Sequence, residues 1–587
     1  MGTEAHPSPG GIAPSGGEFL LRLPARIATP EDFSEQQRMI GATAERFARE
    51  EVEPAAEELE KPDLERLRAL LRQAAELGLC AADVPEAYGG LGLGLGCSTI
   101  IADRIARYGS FSVSFSGHTG IGMLPILYFG TEAQKQRYLP RLVSGEWIGA
   151  YALSESGAGS DALAARARAE LTPGGYRLDG EKMWITNAAL ASLFTVFAKV
   201  EGERFTAFLV ERGFAGVSLG AEEHKMGLKG SSTRPLLLAQ AQVPEANVLG
   251  EIGRGHVVAF NILNIGRLKL AAACLGGART TLADAAAYAR QRQAFGRAIA
   301  EFGLVRQMLA AIAADLYACE AAVYRTVGLI EARLEAAAGA PGATPAGLEA
   351  FAVECSLLKV AGSEMLDRAV DLNVQLHGGY GYVQGYAAER AFRDARVNRI
   401  FEGTNEINRL LISGLALRRA QKGELELMAA IQAAQDELLA RRAPAAAEPA
   451  ARIWLEGARA LLLLLAGSAW RKYQEQLAEA QPVLAALSDL MLELYLAQSA
   501  ALRSAQAAPT PQAETHALLA RSALARGAER FETAARRLTA AVAEGDAWRT
   551  LNAARRRLLA REPEDPFRLE NQVAEAVLEK RRYPVEW

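Results

Sequence analysis

The feature that most constrains this chain is a change of texture. Ala- and Leu-rich stretches with helical spacing stand on both sides of a segment, from Tyr151 to about Gly250, that is cut into short β-rich runs. From about Asp32 to Ser144 apolar residues recur three and four positions apart through Phe47, Leu64, Leu67, Leu70, Leu71 and Leu77. Charges occupy the other faces, as amphipathic helices require. In the middle segment, runs such as Leu193–Val200 and Phe205–Val210 alternate with Gly, Asp and Pro, which predicts strands and turns. Long helical stretches return from Gly255 to about Arg419, with an exposed loop expected over Gly339–Pro345. The expectation is a mainly helical protein with a central β-domain. Its divisions are a flexible tail over 1–30, an N-terminal helical domain over 31–150, a middle β-domain over 151–254, a helical bundle over 255–420 and an extra helical domain over 421–587.

Composition removes several function classes. A formal charge of -4 on 587 residues gives no electrostatic reason for a nucleic-acid partner. Cysteines at 80, 97, 274, 319 and 355 form no C-x-x-C pair, so reduced, buried thiols in a cytoplasmic protein are expected and no metal site. The start of the chain is rich in Gly, Pro and Ser and lacks the basic start and apolar core of a secretory signal. Arg459 and Arg471 bracket the most apolar run, Leu461–Leu465. That span is far shorter than the ~20 residues a bilayer needs, so a buried helix is expected. The glycine run Gly89–Gly96 misses the G-x-G-x-x-G spacing and follows no strand, so it predicts a flexible interhelical loop. His377, in Gln-Leu-His-Gly-Gly, suits a structural hydrogen bond better than catalysis.

The stretch with most chemical content is Phe392–Leu411. A charged helical segment leads into Phe401-Glu-Gly-Thr404, and a second helix starts after it. Thr404 suits an N-cap and Gly403 a sharp turn. Glu402 therefore stands at a turn beside an aromatic ring, where desolvation would raise its pKa as a general base requires.

That stretch, together with Tyr151-Ala-Leu-Ser-Glu-Ser-Gly-Ala-Gly-Ser-Asp161, Lys182-Met-Trp-Ile-Thr-Asn187 and Arg292-Gln-Ala-Phe-Gly296, resembles the acyl-CoA dehydrogenase family. The motifs come in the family's order over roughly the first 420 residues. The resemblance implies a β-barrel-like middle domain, a four-helix bundle after it, and FAD-dependent α,β-dehydrogenation of an acyl-CoA in fatty-acid β-oxidation. It assigns Glu402 as the α-proton base. FAD contacts would come from Tyr151, Leu153, Ser154, Gly159, Ser160, Trp184, Ile185 and Thr186. In a homodimer, or a larger assembly, Arg292, Phe295, Gln375 and Gly379 would reach the neighbour's flavin. Thr404 and Glu406 would close the adenine-diphosphate end. Substrate contacts would involve Ser160, Asn264, Arg267, Phe401 and Gly403. Relatives that carry the base on the helix of Asn264-Ile-Gly-Arg267 have it where this chain has Gly266, which cannot serve. Ser156, Ala294 and Gly303 depart from common family residues. Phe302-Gly-Leu304 and the added C-terminal segment are similar to the very-long-chain branch, whose extension implies packing, or docking to a membrane surface or partner. An electron-transferring flavoprotein would take the electrons from a medium- to long-chain substrate. The alternatives are an acyl-CoA oxidase that uses oxygen and a catalytically silent flavoprotein scaffold.

Overall fold

The structure, a computed structural model, describes residues 15–61, 63–337, 343–440, 449–585 and 587. Helices α1 (Glu35–Phe47), α2 (Leu64–Glu76), α3 (Gly94–Arg104), α4 (Gly109–Ser116) and α5 (Glu132–Val143) open the fold. Ser34, Asp63 and Thr131 cap α1, α2 and α5 by accepting the N–H of Gln37, Arg66 and Gln134, satisfying donors that a helix start leaves open. The stripe Leu67, Leu70, Leu71 and Ala74 is buried against Phe47, Phe111 and Phe115.

The middle domain is one eight-stranded sheet in the order β6-β7-β3-β2-β4-β5-β8, with β1 beside β4. The strands are β1 (Gly149–Ala152), β2 (Arg168–Thr172), β3 (Gly175–Thr186), β4 (Leu193–Val200), β5 (Arg204–Glu211), β6 (Val217–Leu219), β7 (Thr233–Pro244) and β8 (Val248–Leu249). The unbroken apolar run of β4 has a simple cause. Phe194, Val196 and Ala198 face the interior of the β-domain, whereas Leu193 and Phe197 face the helices, so both faces of the strand are buried.

The helical bundle comprises α6 (Gly255–Gln291), α7 (Gly303–Ala336), α8 (Ala352–His377), α9 (Ala387–Ala395) and α10 (Asn405–Gln421). A small hairpin, β9 (Gln293–Ala294) with β10 (Arg297–Ala298), joins α6 to α7. A Cβ at Gly276 would lie 1.9 Å from the Asp103 carbonyl oxygen, so α6 meets α3 backbone to backbone with no room for any residue but glycine. His377 closes α8 as a buried structural residue: its Nδ1 lies 2.9 Å from the Asn373 carbonyl and its ring stacks on Tyr288. All five cysteines are buried and unpaired.

Beyond the bundle come α11 (Leu427–Ala440), α12 (Ala450–Tyr473), α13 (Gln481–Gln506), α14 (Ala513–Val542), α15 (Gly545–Leu558) and α16 (Pro566–Lys580). Leu461–Leu465 is buried in α12, as expected. By length and composition α6, α12 and α13 could cross a membrane, but their apolar windows are mostly buried inside the fold.

Two expectations need correction. The tail expected over 1–30 is anchored to the core at several points along its described part, 15–30. Gly17 N–H donates to the buried Glu354 at 2.6 Å, Ile27 and Gln506 exchange two hydrogen bonds, and Phe19 meets Tyr495 edge-on. Phe19, Leu20 and Ile27 are the apolar residues that drive this, embedded in a Gly/Pro-rich background that hid them. Residues 1–14 lie outside the described residues. The glycine run is likewise held: Leu91, Gly92 and Leu93 donate to the carbonyls of Ala81, Val84 and Ala82, and α3 begins at Gly94.

Segments distant in the chain meet at one buried carboxylate. Glu320 of α7 accepts from Arg279 of α6, from Arg503 of α13 at 2.5 Å, from the Tyr583 hydroxyl at 3.1 Å and from Trp587 Nε1 at 3.3 Å. Arg503 also grips Glu31 of the N-terminal segment at 2.6 Å, and Arg279 reaches Asp103 of α3. The guanidinium groups of Arg503 and Arg279 hold the Glu320 carboxyl far below the usual range against the effect of burial. Glu320→Ala leaves two buried cations short of a partner, and the expected loss is about 3–5 kcal/mol, read as a lower urea midpoint at pH 7. Because the folded pKa is depressed, this stabilisation is full above the ordinary glutamate range and fades on acidification. The gap between wild type and variant should therefore narrow below about pH 4.5.

Candidate active site

The turn Phe401–Thr404 sits between α9 and α10, and both of its central residues are left-handed: φ is 57° at Glu402 and 80° at Gly403. Glycine accepts this conformation freely, but for glutamate it costs on the order of 1–2 kcal/mol, so the turn must be held from outside. Arg267 Nε of α6 donates to the Glu402 carbonyl at 3.1 Å. Lys359 Nζ of α8 donates to the Gly403 carbonyl at 2.7 Å. Asn408 Nδ2 lies 2.8 Å from the Gly403 carbonyl and 3.0 Å from that of Thr404. Thr404 caps α10 by accepting the Ile407 N–H, and its neighbour Glu406 is exposed on the first turn.

The Glu402 side chain points back toward α6. A Cβ at Gly266 would lie 2.8 Å from Glu402 Oε2 and 3.1 Å from its Cδ. Gly266 therefore makes the space in which this carboxylate lies. The residue as a whole is half-buried, but Oε2 is shut off from solvent and has no hydrogen-bond partner. Burial pushes the Glu402 carboxyl up to about 7, partly offset by the Arg267 and Lys359 charges. Tyr151 lies close enough for the Glu402 charge to help push its phenol upward, and its hydroxyl donates to the Ala259 carbonyl of α6.

Arg267 and Asn264, expected at the substrate, are buried, and Arg267 Nη1 donates to Asn264 Oδ1 at 3.0 Å. Arg267 holds the turn from beneath, and Asn264 holds Arg267. Lys359 was missed by sequence reasoning; the available signal was a single lysine inside the apolar run Leu357–Ala361.

The motifs around Tyr151 and Trp184 are clasped together. Lys182, completely buried, gives Nζ to Glu155 Oε1 at 2.7 Å and to the Leu153 carbonyl at 3.2 Å. Glu155 in turn accepts the N–H of Arg166 and Ala167, and Ser154 accepts the Met183 N–H. Directly after Lys182 the pairing of β3 with β7 slips, and Trp184 takes φ 63°. This bulge leaves Trp184 58% exposed while Ile185 turns into the β-domain interior, so the Ile185 side chain belongs to the core and its backbone is paired with Arg234 of β7. Tyr151 and Leu153 are buried, Ser154 and Thr186 half-buried, and Gly159 and Ser160 exposed. A Cβ at Gly159 would meet no protein atom within 4 Å. Any demand for glycine there must come from something outside the chain.

A third group stands apart. From Gly266 to Arg292 helix α6 runs about 39 Å, and from Lys359 to Gln375 helix α8 runs about 24 Å, at 1.5 Å per residue. Arg292, Phe295, Gln375 and Gly379 are thus brought to one another, with the Arg292 guanidinium 5.8 Å from the Tyr380 ring, and away from Glu402. Phe295 forms the tip of the β9–β10 hairpin at φ 52° with 96% of its surface exposed.

The raised Glu402 carboxyl has a consequence for stability. Its folded pKa lies above the ordinary value, so its stabilising contribution is full below the ordinary glutamate range and is lost as pH rises through about 7. Glu402→Gln should therefore be more stable than wild type at pH 8, by about 1–3 kcal/mol, and nearly equal to it at pH 5. Urea unfolding at the two pH values reads this directly.

Comparison with known proteins agrees with the layout. Family models described as the acyl-CoA dehydrogenase N-terminal, middle and C-terminal domains match residues 34–146, 150–241 and 253–416, and a further acyl-CoA dehydrogenase C-terminal domain model matches 457–557. A probable acyl-CoA dehydrogenase of Bacillus subtilis is 44% identical over 97% of this chain and 98% of its own length. Human very long-chain specific acyl-CoA dehydrogenase is 38% identical over 62% of this chain and 57% of its own. The crystal structure of a Bacillus anthracis acyl-CoA dehydrogenase complexed with FAD superposes with a TM-score of 0.96 at 44% identity, covering 98% of this chain and all of that one. With the fold, the turn that carries Glu402 and these relatives in agreement, the chain belongs to the acyl-CoA dehydrogenase family.

Proposed function

We propose that the protein binds FAD and converts acyl-CoA thioesters of medium to long chain into trans-2-enoyl-CoA, with Glu402 removing the α-proton and an electron-transferring flavoprotein taking the electrons. The observation that carries this is the unpartnered, solvent-excluded Oε2 of Glu402, held at a turn by two cations and raised to about 7. Such an oxygen is poised to accept a proton near neutral pH. A thioester α-proton is weakly acidic, so the developing enolate oxygen needs a fixed donor; the Glu402 backbone N–H fills that role in this reading.

The residues present fit the flavin. Trp184 is held outward by a bulge, Gly159 borders open space, and Ser154, Ser160 and Thr186, all at least partly exposed, would offer hydroxyls to the ring. FAD when bound supplies the hydride acceptor that no side chain can provide. Ser160 and Phe401 would border the acyl-CoA, and Thr404 and Glu406 the diphosphate end of a flavin. Arg292 suits that diphosphate because its planar fork donates two parallel bonds. The distance along α6 supports a flavin shared between two subunits, with Arg292, Phe295, Gln375 and Gly379 reaching the site of a second copy.

Anaerobic titration of the yellow protein with palmitoyl-CoA should bleach the flavin absorbance. A flavin that stays oxidised with long, short, branched and aromatic acyl-CoAs alike would overturn the reading. Glu402→Gln should keep FAD but lose at least about a hundredfold in the rate of flavin reduction. Phe295→Asp places a charge on a fully exposed tip and should leave the chain folded while shifting it to monomer in light scattering, with loss of FAD. A dimer that retains full FAD would argue against sharing.

A further inference from the structure

Lys359 hydrogen-bonds the turn and Asn405 rather than the Glu402 carboxylate, yet its surroundings single it out. It is fully buried on α8 in an apolar run, and its Nζ has two partners: the Gly403 carbonyl at 2.7 Å and Asn405 Oδ1 at 2.6 Å. The first belongs to the turn beside Glu402 and the second to the first residue of α10. Asn405 is itself fixed, with Nδ2 donating to Ser363 Oγ and to Glu364 Oε1, both at 3.0 Å. Arg267 grips the preceding carbonyl from α6. Two cations on two packed helices thus pin successive carbonyls of a left-handed turn.

We infer that Lys359 is a positioning residue for the proton transfer, which fixes the Glu402 turn and stabilises the ionised form of the base by its charge. This rests on the reading of Glu402 as the base. The charged and titratable groups facing Lys359 are few. Glu402 lies on the turn, Arg267 and Cys274 on α6, and Glu364 on its own helix. Burial keeps the Cys274 thiol protonated by pushing it up to about 12, and Glu364 is paired with Arg409 at 2.7 Å. The unpaired anion within reach of Lys359 is therefore Glu402. Without Lys359, desolvation of Glu402 would be opposed by Arg267 alone, and the base would hold its proton at neutral pH.

Lys359→Met removes the charge and keeps an apolar side chain of similar length in the run. Two readouts are followed in the holoenzyme against pH. One is the rate of flavin reduction by palmitoyl-CoA. The other, without substrate, is the infrared carboxyl band that is missing in Glu402→Gln. The expected result is that the midpoint of the band and the acid limb of the rate move up together by about one pH unit. The rate at pH 6.5 then falls about tenfold, and most of that loss is recovered by pH 9. A fall that is equal at all pH values, with the band midpoint in place, would reduce Lys359 to a packing residue and overturn the inference. If Lys359→Met does not fold, Asn405→Asp tests the same claim by setting a carboxylate against Nζ, and an unmoved midpoint there overturns it equally. Glu402→Gln run in parallel separates the two ideas. Flavin reduction that survives in that variant rejects the base, whatever Lys359 does.

Discussion

The structure depends on the place where α6, α8 and the start of α10 converge on a single turn. A glutamate with φ of 57° does not hold that conformation by its own preference. It is held because Arg267 and Lys359 bring charge-assisted hydrogen bonds to adjacent carbonyls, and because Gly266 leaves room for the side chain to fold back onto α6. Burial disfavours the carboxylate while the two cations favour it, and the balance lies near neutrality. The same contacts that build the turn therefore set the acidity of the group it presents.

The remaining architecture keeps these helices in register. The β-domain brings the Tyr151 segment near Glu402, and the buried Lys182–Glu155 pair locks that segment to the strand that carries Trp184. On the far side, the C-terminal helices do not hang from the bundle as a separate module. They share the N-terminal segment with it, through Glu354, Gln498 and Gln506, and they share the charge junction around Glu320. A junction in which arginines and carboxylates from different helices satisfy one another demands a particular arrangement of those helices, because any slip strands a buried charge.

How much could be read without the structure varied with the physics involved. Helix and strand periodicity located the β-domain between two helical regions, since burial on one face leaves a repeat in the sequence. The bland composition of residues 15–30 misled, because a few buried apolar residues in a Gly/Pro-rich segment leave no period at all. Glu402 was legible from its turn residues and its motif. Its partners were not: Arg267 was expected at the substrate and Lys359 drew no notice, and in the β-domain the Lys182–Glu155 pair was equally unforeseen. Each of those contacts joins residues far apart in the chain, and no local pattern encodes them.

The amino-acid sequence by itself determined the order of helical and β-rich segments, the N-cap at Thr404, the glycine that permits the turn and the absence of any residue at 266 able to act as a base. These are local matters of backbone preference and side-chain type. Only the tertiary structure decided that Gly266 faces Glu402, that two distant cations hold its turn, and that Arg292 and Gln375 lie tens of ångströms from it. Those facts follow from how long helices cross and where each one ends, and that is settled by packing over the whole core.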